Sequence, residues 1–223
     1  LIPLHDDNPT ESFSYLTVGL IVLNVLVFFY ELSLPQGELA GAFFMQYAAI
    51  PALIVEPPAL TVYGSLFTSM FLHGGWMHLI GNMLYLWIFG NNIEDSTGRI
   101  KFILFYLLCG LAASGAHILS APMSRVPCVG ASGAISGILG AYLLLYPRAR
   151  VMCLVPIGSF SRIVYLPAWL MLIMWFVMQL FSGWSTLGGD EGGGVAWWAH
   201  IGGFVAGLGL IGIFKKRGRR MWA

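Results

Sequence analysis

Charge is what this sequence has least of. Only 9% of its 223 residues are Asp, Glu, Lys or Arg, against about 25% in soluble domains, and 58% are hydrophobic. Water is therefore the wrong solvent for most of the surface. Cysteine is scarce too: Cys109, Cys128 and Cys153 leave one over and share no CxxC spacing. Neither a disulfide framework nor a metal site is expected, and the three read as apolar fillers. Residues 1–15 contain no Lys or Arg, unlike a secretory signal peptide. No repeat or low-complexity tract divides the chain. One membrane domain is expected over 16–214, between a short segment at 1–15 and a basic tail at 215–223.

What the chain has in abundance is long apolar runs. A membrane-spanning helix needs about 20 mostly apolar residues. Six segments meet or approach that length: 16–32, 76–93, 100–119, 130–146, 163–181 and 195–214. The fold class this predicts is an all-α membrane protein, a bundle of six transmembrane helices. Residues 33–75 carry Pro35, Pro51, Pro57 and Pro58 among apolar stretches and are expected to lie in the membrane interface. Arg99 and Lys101, then Arg148, Arg150 and Arg162, then Lys215, Lys216, Arg217, Arg219 and Arg220 are ten of the eleven basic residues. All ten fall in alternate loops or the tail, which predicts both termini on the cytoplasmic side. The lipid bilayer is the expected environment, and no nucleic-acid partner is expected.

Polar side chains inside such spans are costly and point to function. His78 and Asn82 lie in the second span, Ser132 in the fourth and His200 in the sixth. Ser132 is 15 residues before Pro147, His200 is 15 before Lys215, and His78 is 16 before Glu94. At about 1.5 Å per residue, all three sit about 22–24 Å from the same edge. Helical phase puts Ser132, Ser136 and Gly140 on one face, with Gly133 and Gly137 adjoining, and His200, Gly203 and Gly207 on another. The strings GAISG and GFVAG are small-xxx-small patterns that let helix backbones approach closely. His73 and His117 have no matched partner at that depth and read as structural.

Peptide hydrolysis needs a nucleophile, a base and donors for the developing oxyanion. Ser132 opens its helix, so its N–H is one of the free donors there. Gly130, Ala131 and Gly133 leave room around it. His200 would serve as base, and His78 and Asn82, one turn apart, would add oxyanion donors. No acidic residue lies in a span near His200, so a Ser–His dyad is expected rather than a triad.

These same residues carry a family resemblance. GASGA at 130–134 resembles the GxSG nucleophile motif of rhomboid proteases. AHIGGFVAG at 199–207 resembles their AHxxG base motif followed by GxxxG, and HLIGN at 78–82 is similar to their HxxxN oxyanion motif. The resemblance implies cleavage of transmembrane protein substrates within or beside the membrane, without metal or cofactor. It implies a water-filled cavity around the nucleophile, with 33–75 as a partly embedded first loop. Six spans with no added domain or targeting segment point to a bacterial inner membrane. Some members carry an aromatic ring four residues after the nucleophile, packed on the histidine. Here that position is Ser136, so His200 must be held otherwise, by Trp197, Trp198 or a hydrogen bond from Ser136.

Six of residues 183–194 are glycine, which fits either a lid over the site or a slack linker. The fifth span is crowded with Trp169, Met171, Met174, Trp175, Phe176 and Met178 and is expected to dock loosely, admitting substrate from the side. Two rival functions remain: an inactive relative that binds membrane proteins, and a small transporter. A transporter would need polar groups continuing toward the cytoplasmic half of the spans, which is apolar.

Overall fold

In a bilayer every backbone N–H and C=O must find a partner within the protein, which leaves the helix as the default form for isolated apolar runs. The computed structural model describes residues 1–35, 37–56, 60–157, 160–185 and 196–216. The chain begins with strand β1 (Ile2–Asp6) and enters the long helix α1 (Tyr15–Ser33). Short helices follow: α2 (Glu38–Tyr47), α3 (Pro51–Val55), and α4 (Ser65–Thr68) between two 3₁₀ turns. Helix α5 (Trp76–Tyr85) runs through a π-helical turn (Leu86–Gly90) directly into α6 (Asn91–Thr97). Then come α7 (Arg99–Ser120) and α8 (Ser132–Leu145), strands β2 (Arg150–Ile157) and β3 (Phe160–Pro167), and helices α9 (Ala168–Ser185) and α10 (Trp197–Phe214).

This is a mostly helical, multi-pass membrane protein. Among the described residues α1, α7, α9 and α10 are long and apolar enough to cross a membrane, and α8 is a shorter apolar helix. The glycine-rich stretch lies outside the described residues from 186 to 195, as do Arg217, Arg219 and Arg220.

The expectation of an all-α fold is corrected by a three-stranded antiparallel sheet of order β1–β2–β3. Residues 163–167, expected to begin the fifth span, belong to β3, which pairs with β2 from Arg150↔Pro167 to Ile157↔Phe160. An apolar run such as Ile163–Val164–Tyr165–Leu166 does not by itself distinguish strand from helix. Its β-branched and aromatic content favours the pleated form once β2 offers a partner edge. Pro167 then ends the strand and α9 starts at Ala168.

The sheet sits at one end of the helices, where the polar contacts concentrate. Glu94 accepts hydrogen bonds from the Leu16 and Thr17 N–H groups (3.1 and 2.7 Å) and from the Thr17 hydroxyl (2.8 Å). A carboxylate borrowed from α6 thus satisfies donors that α1 cannot satisfy itself. Asp95 accepts from Ser12 Oγ at 3.0 Å, and Asp6 accepts from Asn92 at 3.0 Å and from the Tyr142 hydroxyl. Burial raises the Asp6 carboxyl above its ordinary range, against the opposing pull of that hydroxyl.

The centre is a wedge of α7, α8 and α10. Phe102, Phe105, Tyr106, Ile138, Leu139, Tyr142, Phe204 and Ile211 are buried in it. Glycines bring the backbones together: a Cβ on Gly203 would strike the Gly133 carbonyl, and one on Gly207 the Gly137 carbonyl. One on Gly140 would strike the Phe204 carbonyl, and one on Gly133 would lie 2.6 Å from the Ala113 methyl. Helix α9, by contrast, docks through large rings, with Phe176 stacked on Phe204 at 4.5 Å and Met174, Val177, Met178 and Phe181 exposed.

Backbone contact of this kind has a measurable cost of disruption. Gly207→Ala is expected to destabilise the protein by about 1–3 kcal/mol of overpacking or more, read as a clear drop in its thermal unfolding temperature in detergent. Gly209→Ala, where an added Cβ meets nothing within 4 Å, is expected to leave it nearly unchanged.

Candidate active site

Helix α8 begins at Ser132 because the chain arrives in a conformation only glycine takes easily. Gly130 has φ +124°, and its N–H donates to the Ser69 carbonyl at 2.8 Å, pinning the approach. As the first residue of α8, Ser132 presents an N–H with no partner four residues back in the helix. Close packing of α8 on α10 then brings His200 Nε2 to 2.8 Å from Ser132 Oγ.

The second group comes from α5. A Cβ on Gly130 would lie 2.7 Å from His78 Cε1 and Nε2 and 3.6 Å from Asn82 Nδ2, so both side chains border the backbone just before Ser132. The Gly74 N–H donates to His78 Nδ1 at 3.4 Å, a long contact that leaves Nε2 to carry the hydrogen of the neutral ring. Asn82 Nδ2 is buried with no partner in the structure. Buried donors rarely go unsatisfied, and this one belongs to a side chain lining the cavity beside Ser132.

That cavity is about 1230 Å³ and is lined by Ser132, His200, His78, Asn82 and Trp175. Its wall continues past Ser114, His117, Ser120 and Ser124 at the end of α7 and beyond, a row of polar groups suited to water. His73 sits just before α5, with its ring 5.1 Å from that of His78 and its N–H donating to the Glu31 carboxylate at 3.2 Å. Burial above all, and the His78 ring beside it, push the His73 imidazole down to about 4, so it adds no positive charge next to His78 at neutral pH. Among the described residues no group of three or more His, Cys, Asp or Glu is placed to hold a metal ion.

The structure thus brings Ser132, His200, His78, Asn82 and Gly130 to one place. Gly133, Gly137, Gly203 and Gly207 lie in the α8–α10 contact that sets the distance. Support for His200 follows expectation only in part, through Trp197 and not through Ser136. The Ser136 hydroxyl donates to the Ser132 carbonyl at 2.7 Å, the ordinary back-bond of a helical serine. Trp197 meets the His200 ring edge-on at 6.2 Å, and Trp175 lies alongside it at 5.9 Å and 34°. The contact that the sequence reading missed is Gln179 on α9, whose Oε1 is 2.7 Å from His200 Nδ1. No motif marks it. The available signal was a lone uncharged polar residue inside an otherwise apolar span.

A family model described as Rhomboid domain matches residues 61–217. The chain is 32% identical over 218 residues to Rhomboid protease GluP of Bacillus subtilis, covering 94% of this chain and 38% of that protein. It is 44% identical over 76 residues to RHOMBOID-like protein 6, mitochondrial, of Arabidopsis thaliana, covering 34% of this chain and 24% of the relative. It is 30% identical over 129 residues to Rhomboid protein 1, mitochondrial, of Saccharomyces cerevisiae, covering 56% and 35%. The chain spans well under half the length of each of these relatives. With the family model matched over most of its length, and similarity to the Bacillus protein over nearly all of it, the chain belongs to the rhomboid family.

Proposed function

We propose that this protein is an intramembrane serine endopeptidase that cleaves transmembrane proteins within or next to their membrane segment. The observation that carries the reading is the 2.8 Å contact between Ser132 Oγ and His200 Nε2 at the wall of a large cavity with polar groups along it. In the proposed reaction His200 Nε2 takes the hydroxyl proton as Oγ attacks the scissile carbonyl. The oxyanion that forms is held by the Ser132 N–H, His78 Nε2–H and Asn82 Nδ2–H. His200 returns the proton to the departing amine, leaving an acyl group on Ser132. A water from the polar side of the cavity, deprotonated by the same imidazole, then releases the acid and restores the serine. No metal or cofactor takes part in these steps.

Six spans are counted when the α5–α6 run and α8 are added to the four long helices, with both termini cytoplasmic and a bacterial inner membrane as the home. Residues 1–15 and 215–223 then flank a single protease domain. Substrate would enter past α9, which is supported by the ring-mediated docking of that helix.

The decisive test uses the full chain in detergent or liposomes, with a transmembrane substrate and a fluorophosphonate probe. Wild type should cleave and label. Ser132→Ala should lose both, and His200→Ala should be slowed by at least about 10³-fold. Equal cleavage by wild type and Ser132→Ala would rule out serine catalysis.

Asn82→Ala should lower kcat by about 10²-fold with KM changed by less than about threefold, because the donor acts on charge that exists only in the transition state. Gly130→Ala should be at least as damaging, since its methyl would press on the His78 ring at a backbone φ that alanine resists.

A further inference from the structure

Gln179 is a polar residue in an apolar helix, and it is 4% exposed. Burying an amide is unfavourable unless both its ends are bonded. Here both are. Nε2 donates to the Trp175 carbonyl at 3.3 Å, one turn back in α9, and Oε1 lies 2.7 Å from His200 Nδ1. The first bond fixes the orientation of the second. Rotating the amide by half a turn would aim its oxygen at the Trp175 carbonyl, setting two acceptors against each other.

An amide oxygen offers only lone pairs, so the hydrogen between it and His200 must come from Nδ1. A neutral imidazole with its hydrogen on Nδ1 has a bare Nε2. Bare Nε2 is the atom 2.8 Å from Ser132 Oγ, and only a bare nitrogen can accept the serine proton. The other tautomer would point an N–H at the hydroxyl and leave two acceptors facing each other at Nδ1. Trp175, alongside the ring, restricts its rotation.

We infer that Gln179 is a positioning residue for His200: its amide oxygen selects the tautomer and ring orientation in which Nε2 is a base. This rests on the serine-protease reading of Ser132 and His200. It also supplies the third partner that the sequence lacks as an acid. A neutral amide orients the ring as a carboxylate would, without adding charge to the membrane interior.

The test compares wild type, Gln179→Leu and Gln179→Glu in detergent by two readouts: kcat and KM on a transmembrane substrate, and ¹⁵N shifts of labelled histidine, with His200 assigned against His200→Asn. Wild type is expected to show a protonated Nδ1 and a bare Nε2. Gln179→Leu keeps the volume and loses the acceptor. It should lower kcat by about 10–100-fold, leave KM within about threefold, and populate the Nε2–H tautomer. Gln179→Glu, which restores an acceptor, should recover most of the rate. Wild-type kcat in Gln179→Leu, or a lost rate with an unchanged ¹⁵N pattern, would overturn the inference. So would a protonated, non-accepting Nε2 in neutral wild type, a result that needs no variant to fold. Absence of cleavage and Ser132 labelling in wild type would instead defeat the protease reading, while the ¹⁵N pattern still decides the role of Gln179.

Discussion

The contact between the backbones of α8 and α10 sets everything else at the site. Gly133 and Gly137 on one helix meet Gly203 and Gly207 on the other, with carbonyl oxygens where side chains would otherwise stand. Membrane helices gain little from hiding apolar surface from one another, since the lipid is apolar too. Association comes from dispersion across closely matched surfaces. A glycine seam maximises that contact and also fixes the helix separation. Ser132 and His200 lie at the same end of the seam, so the hydrogen bond between them follows from the packing rather than from any local motif.

Polarity is distributed accordingly. Toward one end, the Glu94 carboxylate on α6 caps α1, and Asp6 ties β1 to α6 and α8. Toward the other end, polar groups line an open cavity and some are left without partners, Asn82 Nδ2 among them. The first set holds helices; the second is available for chemistry. The same residue types do both jobs, and what separates them is whether their bonds are already made.

Legibility in the sequence followed the same division. Ser132, His200, His78 and Asn82 stood out because each breaks an apolar run, where polar groups are expensive. The glycines were readable as a spacing. The sheet was not, because residues 163–166 are as apolar as the helix they precede, and periodicity in a short run is ambiguous. The π-helical turn at Leu86–Gly90 left no trace in composition. Gln179 escaped because its significance lies in a partner 21 residues away on another helix, which no pattern within α9 encodes.

The start of α9 gives that last contact a mechanical character. Pro167 passes from β3 into the helix without a loop, and the Ala168 and Trp169 N–H groups donate to the Ala149 and Pro147 carbonyls at 2.8 and 3.0 Å. The helix is thus a rod clamped at its base and held against sliding. Gln179 lies eleven residues along it, about 16 Å from the clamp, so a tilt of about 5° carries its amide about 1.4 Å, enough to break a hydrogen bond. Were the helix to lean aside, the histidine would be unseated as it did so, and would be seated again only when the rod stood upright.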